Sequence, residues 1–322
     1  MSDILSIKNL SVVYKTSNRE TSALKSININ FRSHEIAAIV GESGSGKSTM
    51  GLAIMKLISD PGKITSGEVI YHGDQDIDIM GLDAGELRRF RWKTISMVFQ
   101  ASMNSLNPVT RVRDQFMDTF AAHSMKQDDK MIDFLLEHSG LSNNVKNMYP
   151  NQLSGGMKQR VNIALALACN PKILIADEPT TALDVVVQRE ILEYLASLKN
   201  KLNLTIIFIT HDISLASMVA DRMFIFYDGR VIESGDTEEI INNPLHPYTK
   251  KLLSLIISLK SVNNLKFYMP DKKNYNKSNS GCSYYNNCPI RSSACLKYDY
   301  HEIINNNHMV KCINVDKVIN NV

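Results

Sequence analysis

Apolar positions at the start of the chain fall in short runs. Residues 4–7 and 10–14 are β-rich, and Leu24, Ile27, Ile29 and Phe31 partly alternate within 23–31; this predicts strands. Residues 35–40 are mostly apolar and end at Gly41, as in a strand buried on both faces of an α/β sheet. Helical spacing follows over 48–58, and 66–73 reads as a hairpin. Amphipathic pieces at 112–121 and 130–138, broken by Asn-Pro and Tyr-Pro, predict a mostly helical subdomain over about 101–165. Short buried strands return at 172–177 and 204–210, with a helix over 185–200 between them. Strand–helix alternation continues to about 235, and Asn, Ser and Lys give 260–281 a linker-like character. No internal repeat is visible, so one nucleotide-binding core is expected.

Length and composition bound this picture. At roughly 150 residues per domain, 322 residues make about two domains. A chain that is 44% hydrophobic and 21% charged is neither disordered, nor collagen-like, nor a small disulfide scaffold. The apolar runs at 163–168 and 252–257 fall far short of the roughly 18 residues of a membrane span. The start, Met1-Ser2-Asp3-Ile4, lacks the basic and apolar regions of a signal peptide. A cytoplasmic chain that forms no pore itself is therefore expected. The net charge of +3 is uneven: residues 240–322 hold 11 Lys+Arg against 4 Asp+Glu, a net of +7, and the remainder 25 against 29, a net of −4. Four of the five cysteines also lie in that tail. The break predicts a second module, whose basic surface could be a solvated face or could touch nucleic acid or anionic lipid.

Gly41-Glu42-Ser43-Gly44-Ser45-Gly46-Lys47-Ser48-Thr49 follows a predicted strand and opens a predicted helix, in the pattern G-x-x-x-x-G-K-[ST]. Glycines let the backbone turn tightly so that successive N–H groups face one concavity, and the helix adds its positive end. In this pattern Lys47 reaches the β/γ-phosphates and the Ser48 hydroxyl can ligate Mg²⁺. An apolar strand then delivers Asp177 and Glu178 at its carboxyl end, where ligands sit in α/β sheets. Asp177 would hold Mg²⁺, and Glu178 could polarise a water. Ser154, Gly155 and Gly156 precede another helix, which makes either a second anion-binding terminus or a plain glycine-capped start.

The ordered set of phosphate loop, Gln100, 153–159, Asp177-Glu178, Ala182-Leu183-Asp184 and His211 resembles the ATP-binding subunit of ABC transporters over about residues 3–240. The resemblance implies an α/β fold: a P-loop NTPase, ABC-type nucleotide-binding domain with a helical subdomain, over 1–240. A small C-terminal, cysteine-containing extension follows over 241–322. It implies head-to-tail pairing of two such domains, each ATP lying between one phosphate loop (Gly41, Ser43, Gly44, Ser45, Gly46, Lys47, Ser48, Thr49) and the other's Ser154, Gly155, Gly156 and Gln159. Tyr14 matches the aromatic that stacks on adenine. Gln100 matches the glutamine that senses Mg²⁺ and the attacking water, Asp184 the dimer-contact loop, and His211 the histidine on the γ-phosphate. Glu178, His211, Gln100 and Lys47 are then the catalytic set, with Ser48, Gln100 and Asp177 about Mg²⁺. The helical subdomain would pass closure and reopening to a membrane subunit.

Residues 243–253, Ser105-Leu106-Asn107-Pro108 and 176–185 are similar to the oligopeptide/dipeptide branch of ABC importers, a branch that also includes importers of nickel and of oligosaccharides. The implied partners are a second ATP-binding subunit, usually a different chain, two membrane permeases and, indirectly, an extracytoplasmic binding protein; the place is the cytoplasmic face of the membrane. The rival reading is a soluble ABC ATPase acting on nucleic acid or ribosomes. Many of those carry two cores in one chain; with one core and the 243–253 segment, no nucleic acid is expected here. Cys282, Cys288, Cys295 and Cys312 stand at open spacings without close C-x2–4-C pairs. They suit a [4Fe–4S] cluster, and the tail resembles the branch's C-terminal cysteine motif; zinc and free thiols remain alternatives. Cys169, in an apolar helix, is expected in the core.

Overall fold

The computed structural model describes residues 2–17, 19–100, 105–260, 281–297, 302–305 and 307–316. In chain order the elements are β1 (Asp3–Thr16), β2 (Arg19–Arg32), β3 (Ile36–Val40), α1 (Lys47–Ile54), β4 (Gly62–His72), β5 (Asp76–Asp78), α2 (Ala84–Phe90) and β6 (Ile95–Val98). Then come α3 (Val112–Ala122), α4 (Asp129–His138), α5 (Gly155–Ala166), β7 (Ile173–Asp177), α6 (Val185–Leu202), β8 (Thr205–Thr210), α7 (Ile213–Val219), β9 (Arg222–Tyr227) and β10 (Arg230–Asp236). The last are α8 (Thr237–Asn242), α9 (Pro247–Lys260), β11 (Glu302–Asn305) and β12 (His308–Lys311). Most of the expected linker, 261–280, lies outside the described residues.

Two sheets organise the chain. An antiparallel sheet runs β2-β1-β4-β5, and a larger mixed sheet runs β11-β12-β10-β9-β3-β8-β7-β6. Within the larger one, β6, β7, β8, β3 and β9 are mutually parallel. These central strands are buried, save the two ends of β9, and their side chains alternate between two apolar clusters. Ala37 and Ile39 of β3, with Ile175 and Ile207, pack on the face that holds Met50 of α1. Ile36, Ala38 and Val40, with Leu174 and Phe208, pack on the face that holds Leu192 of α6 and Phe116 of α3. A period of two with both faces apolar produces this continuous hydrophobic run. The chain's α/β class thus follows from a sheet covered on both sides.

Several expectations shift in detail. The pieces 4–7 and 10–14 are one strand, β1, because its polar positions pair across to β2 and β4. The hairpin expected at 66–73 lies within a single strand, β4; the turn falls at 73–75, and β5 pairs back on 70–72. The helix expected over 48–58 ends at Ile54, and Lys56 takes a φ of 50°, a left-handed position that stops it. In the helical region α3 and α4 agree with the amphipathic pieces, Asp128 capping α4 by accepting from the Lys130 N–H. Their apolar faces, Phe116, Phe120, Ile132 and Leu136, join the cluster with Val161 of α5. Cys169 is buried in the core. In the C-terminal extension, β12 pairs with β10 and adds to the main sheet.

Candidate functional site

Four adjacent parallel strands place the candidate residues at one edge. The phosphate loop leaves β3, Asp177 ends β7 with Glu178 next to it, His211 follows β8, and Gln100 follows β6. This is the carboxyl edge where open α/β sheets bind ligands. Gly41 must be glycine, since a Cβ there would stand 2.2 Å from the Phe226 carbonyl oxygen. Gly46, at φ 105°, holds the turn into α1.

Inside the loop, buried Lys47 donates from Nζ to the carbonyls of Gly41 at 2.8 Å and Glu42 at 2.9 Å. Burial pulls its ammonium below the ordinary lysine range, and the nearby Glu178, Asp177 and Glu42 charges oppose this. The Ser48 hydroxyl donates to Asp177 Oδ1 at 3.1 Å. Burial pushes the Asp177 carboxyl up to about 6; Glu178 adds to the rise, while Ser48 and Lys47 work against it. A divalent cation would stabilise that carboxylate in charged form.

Glu178 is the hub of the site. Gln100 Nε2 donates to its Oε2 at 3.1 Å, Thr181 Oγ1 donates to the same oxygen at 2.9 Å, and His211 Nδ1 lies 3.1 Å from Oε1. Its backbone sits at φ 47°, a strained position for a non-glycine residue, of a kind that gathers at functional sites. Burial alone would lift the carboxyl; the hydrogen bonds from Thr181 and His211, with the His211 and Lys47 charges, outweigh it and hold Glu178 below the ordinary glutamate value. The acid is therefore ionised at neutral pH and can accept a proton from water.

A second set of residues meets away from Glu178. Ser154 caps α5, its Oγ accepting from the Met157 N–H at 3.3 Å. Asp184 caps α6 by accepting from the Val187 N–H at 3.0 Å. The two caps adjoin, since a Cβ on Gly156 would stand 2.6 Å from a methyl of Val187. Gln159 is buried on α5. Tyr14 is half-buried in β1, its ring against Gly62. Gly44 has open space where a Cβ would stand, and Ser45 Oγ is buried with no hydrogen-bond partner. These features fit a Mg²⁺–nucleotide: the orphan hydroxyl, the glycine-lined concavity and the Ser48–Asp177 pair supply the donors and ligands that phosphates and a hard cation require.

Comparison with known proteins decides the kinship. Residues 24–181 match the family described as ABC transporter, and residues 232–295 match the oligopeptide/dipeptide transporter C-terminal region. The oligopeptide transport ATP-binding protein OppD of Bacillus subtilis is 40% identical over 310 residues, 93% of this chain and 84% of its own length. The chain belongs to the ABC transporter family. The dipeptide transport ATP-binding protein DppD of Caldanaerobacter subterraneus is 39% identical over 303 residues, 92% of each chain. Among solved structures, a dimeric post-hydrolysis ATP-binding cassette bound to ADP and phosphate superposes with a TM-score of 0.63 at 35% identity, over 73% of this chain and 99% of the other. The cbiO1 protein of Clostridium perfringens, part of an ABC transporter complex, gives a TM-score of 0.65 at 31% identity over 81% and 97%. This ABC chain is accordingly an ATPase, of the oligopeptide/dipeptide branch.

The ABC chain's cysteine tail departs from expectation. Cys282, Cys288, Cys295 and Cys312 do line one cavity, with Tyr284 and His246, but its volume is about 20 Å³, room for roughly one water. Among the described residues no group of three or more His, Cys, Asp or Glu is placed to hold a metal ion. The [4Fe–4S] cluster expected on these four residues is therefore not supported, and neither is zinc. None of the five cysteines forms a disulfide. Burial pushes Cys282 and Cys312 up to about 11 and raises Cys288 as well. Asn314 Nδ2 donates to Cys295 Sγ at 3.3 Å.

Sequence reasoning missed Thr181, although its place three residues after Glu178 was a signal. It also missed Glu233, a fully buried acid on β10. Glu233 accepts from the N–H groups of Leu245 at 2.6 Å and His246 at 2.9 Å, and pairs with His308 Nε2 at 2.7 Å. An acid inside the apolar stretch Val231-Ile232-Glu233 was the available hint.

Proposed function

We propose that this chain is the ATP-hydrolysing subunit that powers a membrane importer of the oligopeptide/dipeptide type. The observation that carries the hydrolytic part is the convergence of Gln100, Thr181 and His211 on the Glu178 carboxylate. The importer part is supported by similarity to named peptide-transport subunits along nearly the whole chain.

In this reading residues 1–240 are the ATP-binding unit and 241–322 the extension. The phosphate-loop N–H groups and Lys47 bind the phosphates, and Tyr14 stacks on adenine. Ser48, Asp177 and Gln100 hold Mg²⁺, which supplies charge neutralisation at the transferring phosphoryl group. Glu178 orients a water and takes its proton; His211 positions the γ-phosphate. Phosphoryl transfer needs little covalent chemistry from the protein, so positioning and charge stabilisation carry the rate. His211 is 57% exposed while Glu178 is 11% exposed, so the site is open on the histidine side. A second ATP-binding subunit, a related and different chain, closes that side with its own counterparts of Ser154, Gly155, Gly156, Gln159 and Asp184.

Among the described residues no helix is long and apolar enough to cross a membrane. Association with the cytoplasmic face therefore runs through two permease subunits. Phe99, beside Gln100, and Val109, at the entry to the helical region, are 46% and 78% exposed; exposed apolar side chains here suit a protein contact. Peptides are the proposed cargo. Reconstitution with permeases and binding protein tests the reading: ATP-dependent uptake of peptide is expected, and uptake of only nickel or oligosaccharide would remove the peptide assignment.

A further inference from the structure

The phosphate loop has an anchor that no phosphate-loop motif contains. The backbone N–H of Glu42 donates to the hydroxyl of Tyr248 at 3.0 Å, although the two residues are 206 positions apart. Tyr248 lies in α9, within the C-terminal extension, and is fully buried. The same Glu42 offers its carbonyl to Lys47 Nζ at 2.9 Å and to the Ser45 N–H at 3.2 Å. Both polar groups of this one residue are thus engaged, from inside the loop and from behind it.

Tyr248 is itself fixed. Its ring centroid lies 4.7 Å from that of Tyr227 and 5.6 Å from that of Tyr284. Tyr227 follows Phe226, whose carbonyl oxygen occupies the space that a Cβ on Gly41 would need at the loop's start. The Tyr248 N–H donates to His246 Nδ1 at 3.0 Å, and the His246 N–H donates to Glu233. Buried Glu233 ties this turn to β10 and, through His308, to β12. The rim of the ring stack, Tyr284, lines the thiol cavity. A buried, ring-locked hydroxyl aimed at one backbone N–H sets a position more sharply than a mobile side chain, because little rotamer freedom remains to be lost.

We infer that Tyr248 is a positioning residue for ATP binding, through which the C-terminal extension holds the phosphate loop in its phosphate-receiving shape. The inference rests on the assignment of residues 41–49 as the phosphate site. Its action is on ground-state binding: an unanchored loop must be ordered at the expense of nucleotide affinity, whereas Glu178 and its partners, on other strands, are untouched.

The test is steady-state ATPase kinetics on the full chain, wild type against Tyr248→Phe, with Thr249→Val as a neighbouring control. Phe keeps the ring stack and removes only the hydroxyl. Thr249 is buried in the same helix with an unpaired hydroxyl, so its variant alters α9 without touching the loop. Loss of one hydrogen bond corresponds to roughly a three- to ten-fold rise in KM for ATP. That rise is expected for Tyr248→Phe alone, with kcat within about two-fold and the melting temperature of the nucleotide-free protein nearly unchanged. An unaltered KM, or a fall in kcat and melting temperature with KM unchanged, overturns the inference. A wild-type chain without saturable ATP hydrolysis would sink the phosphate-site assignment itself, which is a different failure.

Discussion

His211 Nδ1 lies 3.1 Å from Glu178 Oε1, which joins the residue after β8 to the acid just after β7. Because β7 and β8 are hydrogen-bonded neighbours, the pair needs no long loop to form. Replacement of Glu178 by Gln keeps the shape and the Thr181 contact and removes the proton acceptor. The expected outcome is retained ATP binding with hydrolysis reduced by about 10²–10⁴, the usual worth of a general base. Phosphate release and nucleotide retention on gel filtration measure the two halves; a rate near wild type would falsify the role.

Gly41 has no room for a side chain. A Cβ there meets a backbone oxygen of β9 at 2.2 Å, and backbone cannot swing aside as a side-chain tip would. Gly41→Ala is expected to cost about 2–4 kcal/mol of stability and to abolish nucleotide binding. Thermal melting and titration with a fluorescent ATP analogue check both effects. A stable, nucleotide-binding variant would mean that β9 yields.

The extension carries an acid-sensitive joint at His246. Burial pulls its imidazole down to about 4 from 6.5, against the pull of Glu233. The unfolded chain therefore takes up the proton first. Stability from neutral His246 is full above about pH 6.5 and is lost as pH falls through about 4, a total of about 3 kcal/mol. His246→Asn offers Oδ1 to the Tyr248 N–H and cannot titrate in this range. Its melting temperature should fall less than that of wild type between pH 7.5 and 5, by several °C. Parallel melting curves for the two proteins would discard this account.

Val109 is an apolar side chain at 78% exposure, on the loop between β6 and α3 that also carries Gln100. Val109→Asp is expected to leave ATP hydrolysis by the isolated chain within about two-fold and to reduce hydrolysis stimulated by the permeases at least ten-fold, as when a charge enters an interface core. Equal stimulation in both proteins would place the permease contact elsewhere.

The parts of this molecule that were readable in its sequence share one physical trait: the information is local. The phosphate loop is nine consecutive residues between a buried strand and a helix, and Asp177-Glu178 ends an apolar run; strand period and glycine position suffice to locate them. The central strands were legible because two covered faces leave an unbroken hydrophobic stretch. What escaped was set by distant partners. Tyr248 reads as an ordinary helical tyrosine until the fold brings Glu42 to it. Glu233 looks like a solvent-facing strand residue until residues 245–246 and His308 surround it. The hairpin of β11 and β12 is only four residues per strand, too brief for alternation to register against an Asn-rich background. The cysteines misled for a related reason. Their spacing described how far apart they are along the chain, while the volume they enclose depends on Tyr284, His246 and Asn314 packed among them.

The pairing of β12 with β10 has a consequence for solubility rather than for catalysis. Without that pairing, β10 would present a row of unused backbone donors and acceptors beside β9, the sort of border on which one chain can template another. By laying its own tail there and tying it down through Glu233 and His308, the molecule moves the border of its sheet from the seven-residue β10 to the four-residue β11, and short edge strands template poorly. A shortened chain ending near residue 240 would keep every group around Glu178 and yet be sticky along one flank.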